Sequence, residues 1–265
     1  LVFSKLIAQT GGRLRSLCSF AAPLLPEIAK FFYAAGLPVL EGYGLTETSP
    51  VISVNPLEAP KFGTVGVILP GIDIKIAADG EILVRGPNVM RGYYQQPAKT
   101  REVLDEDGWF QTGDIGNLTD RYLSITDRKK DIIVTAGGKN IAPQLIENRV
   151  KASPFISNVV MIGDKRKFTI VLIVPETDAI RRWAKERNLA SDDVHTLLQL
   201  PDVTAKIERE VMVNLRDLAS YQMPKKVVIV EDDFTVENGA LTPSLKVKRH
   251  VVEERYREKI EACYE

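Results

Sequence analysis

The sequence predicts a mixed protein, α/β followed by α+β, in two successive parts. Three observations carry this. Residues 14–40 read as strand, helix, strand. Residues 61–126 hold short alternating runs separated by glycine turns and read as all-β. Residues 131–265 alternate strands with longer helical stretches. The 265 residues are 45% hydrophobic and 26% charged, which suffices for two modest cores.

Taken in order, Leu14–Ser19 reads as a short strand. Pro26–Ala35 reads as a helix with Ile28, Phe31, Phe32 and Ala35 on one face, stopped by Gly36 and Pro38. Leu37–Leu40 is the next strand, so the unit should be parallel and right-handed. Asp73–Ala77 and Glu81–Arg85 form a hairpin around Ala78-Asp79-Gly80. Pro97–Leu104 is a short helix with proline in its first turn. Tyr122–Thr126 belongs to a second hairpin. The charged run from Asp127 to Asp131 follows, either a solvated loop or a domain boundary. Beyond it come a strand at Ile132–Val134, a turn at Gly137-Gly138 and a helix from Pro143. Strands follow at Asn158–Ile162, Thr169–Val174 and Val227–Val230. Helices cover about Asp178–Asn188, Val203–Ala219 and Lys248–Ala262.

Lys+Arg and Asp+Glu each number 35, so the formal net charge is zero. Residues 1–126 hold 11 basic and 13 acidic residues, leaving 24 and 22 for 127–265, and neither part has the basic bias of a nucleic-acid binder. Cys18 and Cys263 stand at opposite ends. Two cysteines, no signal peptide and no apolar run of transmembrane length point to a reducing, cytoplasmic setting. Peripheral contact with a membrane and the oligomeric state stay open.

The candidate chemistry centres on Glu41-Gly42-Tyr43-Gly44-Leu45-Thr46-Glu47-Thr48, expected as a loop at a strand's carboxyl end, where open α/β sheets bind ligands. Gly42 and Gly44 would let the backbone turn and approach a ligand. Tyr43 would offer a stacking face. Thr46 would offer a hydroxyl and an N–H to a phosphate. Glu47 would offer an oxygen to Mg2+. A tight glycine turn with a surface tyrosine and glutamate reads equally well from these residues. Asp114, beside Gly113 at a strand end, could grip two ribose hydroxyls or could be a turn aspartate.

Five stretches then occur together in order: GYGLTET (42–48), GEILVRGPNVMRGYY (80–94), GWFQTGD (108–114), ITDRKKDIIVTAGGKNIAP (125–143) and FTVENGALTPSLKVKR (234–249). On these the chain resembles the AMP-forming adenylating enzymes, the superfamily of acyl-CoA synthetases, luciferases and peptide-synthetase adenylation domains. It looks most like the bacterial long-chain fatty-acid–CoA ligases. The resemblance implies the end of a large N-terminal α/β plus β-barrel-like domain (1–126, with a sheet remnant at 1–60 and a β-rich subdomain at 61–126). It further implies a hinge (127–130) and a small mobile α+β C-terminal domain (131–265).

The resemblance implies roles at the matching positions. Tyr43 stacks on adenine, flanked by Gly42, Gly44 and Leu45. Thr46 contacts the α-phosphate and the acyl carboxylate, and Glu47 holds Mg2+. Asp114 binds ribose with help from Arg128. Lys130 is the hinge residue. Gly137 and Gly138 line the passage for the pantetheine arm of coenzyme A. Lys246 reaches the reacting groups, in a segment that Pro243 and Ser244 should hold extended. Ala22 matches a stretch that touches adenine, although Phe20 and Ala21 precede it where the family usually has glycine. Leu245 likewise stands where many relatives have glycine.

The implied reaction consumes fatty acid, ATP and coenzyme A with Mg2+, through an acyl-adenylate. The Ser/Thr/Gly-rich phosphate loop of the family is not among these 265 residues. Together with a first residue of Leu, this suggests the C-terminal part of a longer enzyme, inactive alone. A non-catalytic nucleotide-binding module and an acyl-AMP ligase that does not use coenzyme A are the rival readings.

Overall fold

The computed structural model describes residues 2–189, 191, 193–243 and 245–265. Two compact units divide the chain, Leu1–Lys130 and Asp131–Glu265.

The first unit begins with α1 (Val2–Gln9), β1 (Leu17–Ser19) and α2 (Pro26–Ala34). Then come β2 (Val39–Gly44), a 3-10 turn (Thr46–Thr48), β3 (Val51–Val54), β4 (Gly66–Ile68), β5 (Asp73–Ile76) and β6 (Glu81–Arg85). α3 (Pro97–Val103), β7 (Phe110–Thr119) and β8 (Tyr122–Arg128) complete it. One eight-stranded sheet runs β1-β2-β3-β4-β8-β7-β6-β5. β1 and β2 are parallel, as the strand–helix–strand reading requires, and every other neighbour pair is antiparallel. Strands from 1–60 and from 61–126 therefore share hydrogen bonds.

α2 stops where expected. Gly36 takes φ +80°, its N–H donates to Tyr33 O at 3.0 Å, and Leu37 N–H donates to Phe32 O at 2.9 Å, the paired bonds of a glycine-terminated helix. Its buried face differs from expectation. Ala29 and Ala35 are buried, whereas Ile28 is exposed and Phe31 is 53% exposed. The small residues let α2 lie close to the sheet, and the Phe31 ring meets Phe3 and Phe32 edge-on instead. β1 is also shorter than expected, starting at Leu17.

The second unit holds a ribbon of β9 (Ile133–Val134) and β10 (Asn140–Ile141), joined through Gly137-Gly138, then α4 (Pro143–Val150), β11 (Ile156–Ile162) and β12 (Ile170–Pro175). α5 (Thr177–Glu186), α6 (Val194–Leu198), α7 (Pro201–Leu215), β13 (Lys226–Ile229), α8 (Arg249–Arg255) and α9 (Arg257–Glu261) follow. The three-stranded sheet runs β11-β12-β13, antiparallel then parallel. β12 is buried throughout. Its Val171 and Ile173 join the core beneath α4, α5, α6 and α7, while Ile170, Leu172 and Val174 join the core beneath α8 and α9. α7 contributes Val203, Ile207, Val211 and Leu215, four residues apart on one face, each worth about 1.5–3 kcal/mol of apolar burial.

The single terminal helix expected at 248–262 is interrupted at Tyr256 (φ −106°, ψ 22°). The break is local, because Tyr256 N–H still reaches Val252 O and its carbonyl still accepts Ile260 N–H. Among the described residues both cysteines are free, and no helix is long and apolar enough to cross a membrane.

Candidate active site

In the first unit, the Gly42–Gly44 stretch is strand, not loop. Gly42 pairs with Val54 and Tyr43 with Ser53, so β3 holds β2 in the sheet as far as Gly44. Neither glycine is needed for a positive φ. A Cβ on Gly42 would lie 2.2 Å from the Phe20 ring, and one on Gly44 would lie 1.6 Å from Pro50 O. The close approach is made by the chain itself, so the expectation of a glycine turn opened for a ligand is corrected.

Tyr43 is likewise not a surface residue. It is 7% exposed and packs in a core with Ile52, Ile82, Val84 and Leu123. Its hydroxyl donates to Asp114 Oδ2 at 2.6 Å across 71 positions of sequence. Burial, then the Asp114 carboxylate, pushes the phenol well above its ordinary pKa, so it stays a donor.

Asp114 stands within β7, not at its end, opposite Arg128 of β8. It is 5% exposed. Its Oδ1 lies 3.4 Å from Arg128 Nε, and the Arg128 side chain is half exposed. The ladder is irregular here, with register shifts at Glu81/Leu83 and at Ile115/Gly116. Side chains replace strand partners: Thr112 Oγ1 accepts Asp114 N–H at 3.1 Å, and Glu81 Oε1 accepts Gly113 N–H at 2.9 Å.

The turn after β2 carries exposed Thr46 and half-buried Glu47. It is braced from the 88–93 segment, which lies in a matched stretch (80–94) but was given no role from the sequence. Asn88 Nδ2 donates to Thr48 O at 2.9 Å, Met90 N–H to Glu47 O at 2.8 Å, and the Tyr93 hydroxyl to Glu47 Oε1 at 3.0 Å. Among the described residues no three His, Cys, Asp or Glu side chains come together around a metal. One half-buried carboxylate suits Mg2+ that keeps waters and takes phosphate oxygens for its other ligands. Leu45 leads into this turn, its N–H held by Thr48 Oγ1 at 3.0 Å. Ala22 is exposed, in the segment that Leu24 N–H fastens to Glu41 Oε1 of β2 at 3.0 Å. Burial raises the Glu41 pKa, and that hydrogen bond offsets part of the rise.

Lys130 is exposed and is the last residue of the first unit, in a 3-10 turn over Lys129–Asp131. In the second unit, Gly137 and Gly138 are exposed. Gly138 takes φ +71°, with no atom within 4 Å of its Cβ position. Lys246 is exposed on a tight hairpin. Leu241 bridges Val247, Thr242 N–H donates to Lys246 O at 2.8 Å, and Leu245 N–H donates to Thr242 O at 2.8 Å. The extended run expected from Pro243 and Ser244 is thus a turn at the described positions, and Ser244 lies outside them. Leu245 takes φ +60° at the tip. The hairpin is rooted by Lys248 N–H to Ala240 O at 2.8 Å, and Arg249 binds Glu147 Oε1 at 2.8 Å.

The family model described as AMP-binding enzyme matches residues 3–94, and that described as AMP-binding enzyme C-terminal domain matches residues 130–265. The chain belongs to the AMP-binding enzymes. Among similar proteins, the long-chain-fatty-acid–CoA ligase FadD15 of Mycobacterium tuberculosis is 43% identical over all of this AMP-binding chain, which spans 44% of that relative. Human long-chain-fatty-acid–CoA ligase 6 is 37% identical, again over the whole chain and 40% of its own length. The AMP-binding fold recurs in ATP-bound MatB from Rhodopseudomonas palustris, with TM-score 0.68 and 29% identity over 96% of this chain and 49% of that one. It also recurs in the AMP-bound A-PCP didomain of carboxylic acid reductase from Segniliparus rugosus, with TM-score 0.76 and 24% identity over 99% of this chain and 36% of that one.

Proposed function

We propose that this chain is the C-terminal part of a cytoplasmic, ATP-dependent long-chain fatty-acid–CoA ligase. The observation that carries the reading is that Asp114 is met by Tyr43 on one oxygen and by Arg128 on the other, which draws three of the five matched stretches into one place. The substrate class is supported by relatives that match the whole chain and are named long-chain-fatty-acid–CoA ligases.

In this reading Asp114 accepts hydrogen bonds from the ribose hydroxyls of ATP. Tyr43 fixes that carboxylate through Oδ2 and lies beside the base, and Arg128 pairs with its Oδ1. Thr46 donates to the α-phosphate. Glu47, aimed by Tyr93, holds Mg2+, which when bound neutralises charge on phosphate oxygens. Lys246, a compact charge on a long stem, bridges the fatty-acid carboxylate and the α-phosphate while the carboxylate displaces pyrophosphate. The second unit then rotates about Lys130, and the thiol of coenzyme A, entering past Gly137 and Gly138, displaces AMP.

The full-length ligase tests the reading. Asp114→Ala should raise the KM for ATP at least about tenfold, because hydrogen bonds to a charged acceptor contribute roughly 1.5–3 kcal/mol each. An ATP KM within twofold of wild type would return Asp114 to a structural aspartate.

A further inference from the structure

We infer that Lys129 is a positioning residue for Asp114, acting through Glu81. The inference deepens the proposed function and rests on its assignment of Asp114 to the nucleotide.

Lys129 Nζ lies 2.7 Å from Asp79 Oδ2 and 2.7 Å from Glu81 Oε2. Asp79 belongs to the turn between β5 and β6, and Glu81 opens β6. The two carboxylates differ in surroundings. The Asp79 side chain is half exposed, whereas that of Glu81 is 6% exposed. A carboxylate at that depth stays charged only where a cation and hydrogen-bond donors meet it. Lys129 supplies the cation on one oxygen. The N–H of Gly113 meets the other at 2.9 Å.

Gly113 directly precedes Asp114 and takes φ +71°. The strand ladder is irregular on both sides of it, so the Glu81 side chain does there what a strand carbonyl does elsewhere. Remove the ammonium, and the buried Glu81 carboxylate must turn to water or find another donor. Either change weakens its hold on Gly113 N–H, and the backbone carrying Asp114 loses a fixed point. Lys129 Nζ meets Glu81 Oε2 and Glu81 Oε1 meets Gly113 N–H, so the effect of Lys129 on Asp114 travels through Glu81.

Steady-state kinetics of the full-length ligase tests this. Lys129→Ala should raise the KM for ATP about three- to tenfold, with the KM for coenzyme A within about twofold, the split expected when one charged hydrogen-bonded contact near a single substrate is lost. Glu81→Gln removes the charge that needs Lys129 and keeps an oxygen for Gly113. The Lys129→Ala/Glu81→Gln double variant should therefore recover an ATP KM within about twofold of Glu81→Gln alone, a non-additive result. An unchanged ATP KM in Lys129→Ala overturns the inference. So does an equal rise in the KM for coenzyme A, or a double variant as impaired as the product of the singles. Asp114→Ala in the same series separates the two layers. If it raises the ATP KM while Lys129→Ala does not, only the role of Lys129 falls; if it has no effect, the nucleotide reading falls with it.

Discussion

Ala21 holds a left-handed φ of +70°, at a position where the resemblance led us to expect glycine. An L-residue there is strained by about 1–2 kcal/mol, while glycine gives back about 0.5–1 kcal/mol in chain entropy. Ala21→Gly should therefore stabilise the first unit by up to about 1 kcal/mol. Urea denaturation checks it, and a lower midpoint would mean that the Ala21 methyl makes contacts worth more than the strain. The departure from glycine was readable in the sequence, but its sign was not, because φ is a tertiary outcome. The same holds for partners. Tyr43, Thr46, Glu47, Asp114 and Arg128 stood out as residue types in ordered motifs. Tyr93 on Glu47, and Lys129 on Glu81, depend on which strands lie side by side, and no local pattern announces that.

At the scale of elements, two glycines of the same site should behave differently. Gly44 has backbone where a Cβ would go, 1.6 Å from Pro50 O and 2.9 Å from Val51 Cα. Gly44→Ala must push β2 and the 50–51 segment apart, at a cost of about 3 kcal/mol or more. Gly113 has open space around its Cβ position and only an unfavourable φ of +71°, so Gly113→Ala should cost about 1 kcal/mol. Each unit holds one tryptophan, Trp109 and Trp183, so denaturant unfolding followed by fluorescence in a Trp183→Phe background reads the first unit alone. Equal losses would show that the sheet yields at Gly44. Helical periodicity made α7 plain in the sequence, and a continuous apolar run made β12 plain. β3 and β4, four and three residues long, escaped notice because pairing with β2 and β8 defines them more than composition does. The buried face of α2 escaped because alanine, not phenylalanine, is what a close helix–sheet contact admits.

For the whole molecule, the two units divide the proposed labour, and lysines on the second unit test the division. Lys246 is exposed on a rooted hairpin, whereas Lys248 lies at its base, half-buried, with its N–H held by Ala240 O. In the full-length ligase Lys246→Ala should cut adenylate formation by about a hundredfold, the scale of a lost charged transition-state contact, and spare conversion of supplied acyl-adenylate to acyl-CoA. Lys248→Ala should leave adenylation within about threefold. Pyrophosphate exchange and thioester formation, measured separately, decide it. Equal damage to both half-reactions by Lys246→Ala would remove the lysine from its role. The two-part organisation was legible because a run of charges separates two hydrophobic patterns. The single eight-stranded sheet was not, since it ties β1 to β5 through pairings up to tens of residues apart.

Within the second unit, time separates the parts. β12 is bonded on both edges and buried on both faces, so its amides reach solvent only when the unit opens as a whole. Ile133 and Ile141 hold the β9–β10 ribbon in the core, whereas its turn at Gly137-Gly138 is exposed and should open locally. Hydrogen exchange should leave Val171, Leu172 and Ile173 among the slowest amides and Gly138 among the fastest, a clock that runs slow in the spine and fast at the turn assigned to the pantetheine path.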